Sequence, residues 1–117
     1  MSYVEGFVLP ISKDNKQAYI DHALYCADVF KEYGMTAMVE CWGDDVPDGK
    51  INSMRTAVLL EEGETVVFSW MTWPDKATRD AGWEKIMADP RMAPGAVEIP
   101  FDGKRMIFGG FVPIVEI

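Results

Sequence analysis

The segments of this chain with the strongest strand character are apolar on both sides of their alternation, and few folds accept that. In residues 3–10, Phe7 and Leu9 alternate with Val4 and Val8. In 65–73, Val66, Phe68 and Trp70 alternate with Val67, Met71 and Trp73. In 105–112, Met106, Phe108 and Val112 alternate with Ile107 and Phe111. A sheet with one wet face alternates apolar with polar residues, so this one needs cover on both sides. Helices supply one cover. Ile20, Ala23, Leu24, Ala27 and Phe30 recur at helical spacing between Tyr19 and Tyr33. A second helix is expected to open with Pro74 at or near its first position, run to about Ala88 and stop before Pro90. The simplest cover for the other face is a second copy of the chain on a two-fold axis. The alternative is residues 91–101, irregular and holding Pro94 and Pro100, folded back over the sheet. That stretch is too short to cover a whole sheet.

The punctuation fits one domain spanning 1–117. Ser12 is a good N-cap for the first helix and Gly34 a good residue to end it. Residues 35–42 form the next strand, followed by an acidic loop with Pro47 and an Asp48-Gly49 turn. Residues 52–60 are expected to be extended, either continuing that strand or forming another. Residues 61–64 make a polar turn before the 65–73 strand. The order β-α-β-β-α-β gives an α+β, ferredoxin-like sandwich: an antiparallel sheet with two helices on one face. The Gly109-Gly110 pair is expected to mark a bulge or a close backbone approach in the last strand.

Composition removes several function classes. The net charge is -8 and no basic stripe interrupts it, so nucleic acid is not an expected partner. No apolar run reaches the roughly 20 residues of a membrane span, and the opening residues read as a strand rather than a signal peptide. The expected compartment is the cytoplasm. With 2 cysteines and 1 histidine no structural zinc site is expected. Cys26 and Cys41 lack an adjacent base and read as buried, inert thiols. P-loop, dinucleotide and nucleophile-elbow patterns are all missing.

The stretches YVEGFVLP, VECWGDDVPDGK, VVFSWMTWPDKATRD, ADPRM and PFDGKRMIFGGF resemble the YbaA-like family of small bacterial proteins of unknown function. The resemblance runs along almost the whole chain. It implies the dimeric α+β barrel superfamily, in which two ferredoxin-like subunits pack sheet against sheet. That superfamily includes cofactor-independent monooxygenases, haem proteins, dehydratases and ligand-binding modules, so the fold does not select an activity. Its haem proteins typically use a histidine. His22, beside the apolar stripe of the first helix, is a poor candidate, and no cofactor is expected.

A few residues stand out chemically. Glu40 sits between Met38 and Trp42 in an apolar strand, where an unpaired charge is costly. Arg55 is the nearest arginine in sequence. Together they suggest a polar end to an apolar pocket, with Glu40 as base and Arg55 holding an anionic group. A structural ion pair or a wet edge strand is the plainer alternative. Glu5 and Arg105 are a second pair, expected to meet across neighbouring strands as a structural bridge. Trp42 and Trp70 are the indoles expected to touch a ligand. Ser69 lies beside them but has no nearby histidine to activate it. Asp44, Asp45 and Asp48 do not keep the register of a calcium loop, so a solvated turn or a loop meeting a partner is expected. The expected function is a homodimer binding a small apolar or aromatic metabolite between sheet and helices. The alternatives are a cofactor-free monooxygenase or isomerase, and a structural or interaction module.

Overall fold

Four strands form where the alternation predicted them. The protein is described by a computed structural model covering residues 2–117. Strand β1 spans Tyr3–Ser12 and leads through a short 3₁₀ turn, Lys13–Asn15, into helix α1, Lys16–Glu32. Ser12 caps that turn by accepting from the Asp14 amide. Gly34 follows α1 with φ +112°, a left-handed conformation that favours glycine. Strand β2, Ala37–Trp42, comes next, then a long loop and a four-residue helix α2, Met54–Ala57. Strand β3 is Glu64–Trp73, helix α3 is Lys76–Ala88 and strand β4 is Ile107–Phe111. All pairings are antiparallel, in the order β2-β3-β1-β4. This is the ferredoxin-like arrangement.

The structure corrects or narrows four expectations. Residues 52–60 are not extended: they hold α2. Ser53 accepts from the Thr56 amide while Thr56 caps back onto the Ser53 amide. This reciprocal box nucleates a turn in which Met54, Arg55 and Ala57 are good helix formers. Helix α3 is capped by Asp75, which accepts from the Thr78 amide, so Pro74 lies just before the cap, near the first position but outside the helix. The last strand is shorter than expected, at Ile107–Phe111. Its register against β1 runs without a bulge through Gly109 and Gly110. What remains at the glycine pair is close approach. A Cβ on Gly110 would sit 2.8 Å from two carbons of the Tyr3 ring.

The sheet has two unlike faces. Tyr3, Glu5, Leu9 and Ile11 of β1 point to the helices, with Val67, Ser69, Met71 and Trp73 of β3, and all eight are buried. Tyr19, Ala23, Cys26, Ala27 and Phe30 of α1 meet them. Ala23, Ala27 and Phe30 belong to the stripe that the spacing predicted, whereas Ile20 and Leu24 face solvent and Tyr19 and Cys26 take their place. The opposite face carries Val4, Val8, Val39, Cys41, Phe68, Trp70, Ile107 and Phe111 without a charge among them. At the end of that face nearest α2, Pro10 and Val66 are buried, while Phe68, Ile107 and Phe111 stay exposed. Residues 91–101 do not fold back over this face. They pack on the α1 side, where Phe101 stacks obliquely on Tyr19 at 5.8 Å and Asn15 donates to the Pro100 carbonyl at 3.0 Å.

Candidate functional site

Two carboxylates enter the helix-facing side of the sheet, and each must find donors there. Glu5 lies in β1, beneath α3. The indole N–H of Trp73 donates to its Oε1 at 2.8 Å and that of Trp83 to the same oxygen at 2.6 Å. Arg79 of α3 reaches Oε2 at 3.4 Å and also lies over the Tyr3 ring, 5.2 Å from its centroid. Glu5 is thus met by a cation and two neutral donors. Arg105, the partner expected for Glu5, lies elsewhere. It grips Glu64 with two bonds, at 2.7 and 2.8 Å, and also reaches Asp102. The reason is register: the residue opposite Glu5 on β4 is Gly110.

Glu40 has a different environment. It sits in β2, an edge strand, so α1 covers it from one side and it stays half-buried. The Tyr19 hydroxyl of α1 donates to its Oε1 at 2.6 Å. Ser69 stands directly opposite on β3 and also supports the carboxylate. Among the described residues no cation pairs with it. Burial therefore raises the Glu40 pKa above its ordinary value, against the opposing pull of the Tyr19 and Ser69 hydroxyls. Tyr19 is driven far above the usual phenol range by burial and by the Glu40 charge.

Three further groups border this pair. Cys26 lies one to two turns along α1, its thiol pushed up to about 11 by burial and then by Glu40. His22 has Nε2 3.6 Å from the Cys26 sulfur, and burial lowers its pKa. Cysteine and histidine are hence both neutral near pH 7, which is unlike an activated thiolate pair. Trp42 shares the face of Glu40, with the Lys16 ammonium 5.8 Å from its ring centroid.

The candidates read from the sequence are thus partly gathered and partly dispersed. Glu40, Ser69 and Trp42 share the helix-facing side. Trp70 points to the opposite face, against Phe68 at 5.7 Å, and so lines no pocket with Trp42 in the same subunit. Arg55 does not approach Glu40, because α2 turns it toward Asp48, 3.1 Å away. Tyr19, His22 and Cys26 were not singled out as partners of Glu40. The available signal was the α1 stripe itself, which must cross the sheet and carries a phenol at its first turn. Among the described residues no group of three metal-ligating side chains converges, and the acidic loop does not assemble one. Three surface hollows lie away from Glu40, the largest, about 580 Å³, between Arg55, Leu59 and Glu62. One of about 230 Å³ is bounded by Lys13, Asp44, Arg55 and Glu64. Another, of about 420 Å³, lies between Asn15 and Phe101. No helix is long and apolar enough to cross a membrane.

The comparisons agree with the fold. The chain is 52% identical over 116 residues to "Uncharacterized protein YbaA" of Escherichia coli K12, spanning 99% of each. The same figures hold for the protein of that name from Shigella flexneri. A solved structure described as a dimeric ferredoxin-like protein, from an uncultured marine organism, matches with a TM-score of 0.63. It covers 99% of this chain and 98% of its own at 11% identity, a likeness of fold alone. A family model described as "Protein of unknown function (DUF1428)" matches residues 2–103. By that match and by its full-length likeness to the YbaA proteins, the chain belongs to the DUF1428 family.

Proposed function

We propose that this protein acts as a homodimer joined through the open sheet face. Each subunit would offer a small-molecule site at the β2 edge, between sheet and α1, to an apolar or aromatic compound. The observation that carries the proposal is Glu40: a half-buried carboxylate with a raised pKa, held by a phenol and balanced by no cation. Structural carboxylates in a core normally gain such a cation. A site that keeps one uncompensated favours a protonatable anchor for a ligand. Around it Met38 and Trp42, packed against the Tyr19 cluster, supply apolar and aromatic surface. The uncharged open face supports the dimer, in agreement with the solved neighbour described as dimeric. A polyanionic or membrane partner fits neither the charge nor the helices.

The test is native mass spectrometry of gently purified protein, wild type beside Glu40→Gln. The expected result is a dimer that retains a small organic compound, with retention lost in the variant. If the wild type retains nothing and no aromatic or aliphatic library member shifts its melting temperature, the site proposal fails. The second reading, a cofactor-free isomerase, is favoured by the same raised pKa, since proton transfer near neutrality needs such a base. Its signature is incorporation of solvent deuterium into the bound compound, absent with Glu40→Gln.

A further inference from the structure

The dimer proposed above leaves one segment unexplained. After β4 the chain continues as Val112, Pro113, Ile114, Val115, Glu116 and Ile117. Its apolar side chains have almost nothing to rest on: Ile114 is 93% exposed, Val115 75% and Ile117 121%. Yet the segment is tied in place, because the Ser2 hydroxyl donates to Glu116 at 3.1 Å. It leaves the sheet from Phe111, itself on the open face and 60% exposed. A tethered row of aliphatic side chains facing water is unfavourable without a partner.

The sheet face also needs more area than it has. Strands β1 and β3 have 10 residues each, β2 has 6 and β4 has 5. At the usual rise and strand spacing, the flat footprint is about 500 Å² per copy, or about 1,000 Å² for the pair. Obligate homodimers bury about 2,000 Å² or more. The partner is best read as a second copy rather than a foreign protein. A chain of net charge -8 meets itself without repulsion only through a surface free of charge. Away from the paired Glu64 and Arg105 at one end, the open face is such a surface, and the one charged side chain of the segment, Glu116, accepts a hydrogen bond within its own chain.

We infer that residues 112–117 of each copy cross the dimer boundary and lie on the rim of the partner's open face, burying Ile114 and Ile117 there. The segment thereby enlarges the interface and covers sheet margin that the facing strands leave wet.

Ile114 and Ile117 touch so little of their own subunit that aspartate at both positions leaves its folding intact. Sedimentation equilibrium of the full chain and of the Ile114→Asp/Ile117→Asp double variant reads the dimer dissociation constant directly. The expected result is a dimeric wild type and a variant whose dissociation constant is larger by at least about a hundredfold, with unchanged circular dichroism. A variant that dimerises as tightly as the wild type overturns the crossing segment and leaves the dimer standing. A wild type that is monomeric at micromolar concentration overturns the dimer and the crossing together.

Discussion

Glu5 and Glu40 sit on the same side of the same sheet, each beneath a helix, and they are held by opposite means. Glu5 meets two indole N–H groups and the Arg79 guanidinium, all delivered from β3 and α3. Glu40 meets one phenol and a serine and no cation. The first arrangement is closed. Both indoles and the Arg79 guanidinium reach the carboxylate oxygens, so the group ties three elements together and has little chemistry left. The second is open. The Glu40 charge is tolerated rather than neutralised, so its proton affinity depends on whatever else comes near. Burial alone does not separate a structural carboxylate from a reactive one; the charge balance of its donors does.

The largest effect should come from breaking the closed site. Glu5→Ala leaves two indole donors without an acceptor and the Arg79 guanidinium with Asp80 alone, and urea denaturation should show a loss of about 3 kcal/mol. Gly82→Ala attacks the same site from the helix. Its Cβ would lie 2.8 Å from the Trp73 ring and 2.7 Å from the Tyr33 carbonyl, so α3 must move outward and carry Trp83 away from Glu5. A loss of about 2 kcal/mol is expected in the same assay. At the open site, Tyr19→Phe should cost about 1 kcal/mol. It should also raise the Glu40 pKa further, since it removes a hydrogen bond that lowers it; carboxyl-carbon NMR titration reads this shift.

The pH dependence sharpens the contrast. The folded Glu40 has a pKa above its ordinary value of 4.5, so above that value the folded state binds more protons than the unfolded one. Its contribution is fully favourable below that value and declines as pH rises through the folded pKa. Glu40→Gln should remove this decline, leaving a variant less sensitive to rising pH than the wild type. Thermal melts from pH 4 to 8 decide it, and a difference curve of the opposite slope sinks the assignment. The smallest effect is one of rate alone. Cys26 is buried with a raised pKa and should react slowly with iodoacetamide near pH 8. Cys41, half-buried on the open face, should react quickly in dilute monomer and slowly in the dimer.

Much of the fold was legible because it rests on periodicity. The two-sided alternation of β1 and β3, the stripe of α1, and Gly34 at the helix end all have direct sequence signals. Helix α2 was not, because it is only four residues long and its nucleus is a pair of side chains, Ser53 and Thr56, whose reciprocal bonds a reading of periodicity does not register. The candidate site was half legible. Glu40 was visible as a charge out of place, and Ser69 and Trp42 lie beside it. Its partner was sought nearby in sequence, at Arg55, whereas the fold supplied Tyr19 across a helix crossover. The same held for Glu5, whose donors come from Trp73, Arg79 and Trp83 rather than from Arg105 across the neighbouring strand. Spacing along one element predicts neighbours; contacts between elements depend on register and crossing, which one sequence does not display.

Gly110 has a reach out of proportion to its size. With no side chain there, the Tyr3 ring lies flat on the edge strand and offers its π-face to Arg79, which in turn reaches Glu5. Any larger residue would dislodge the ring and, through it, the guanidinium. Its neighbour Gly109 meets only an ordinary contact, 3.5 Å from the Phe111 ring. Two adjacent glycines should therefore differ sharply in mutational tolerance during evolutionary drift: position 109 free to vary among small residues, position 110 held invariant by a carboxylate on the neighbouring strand.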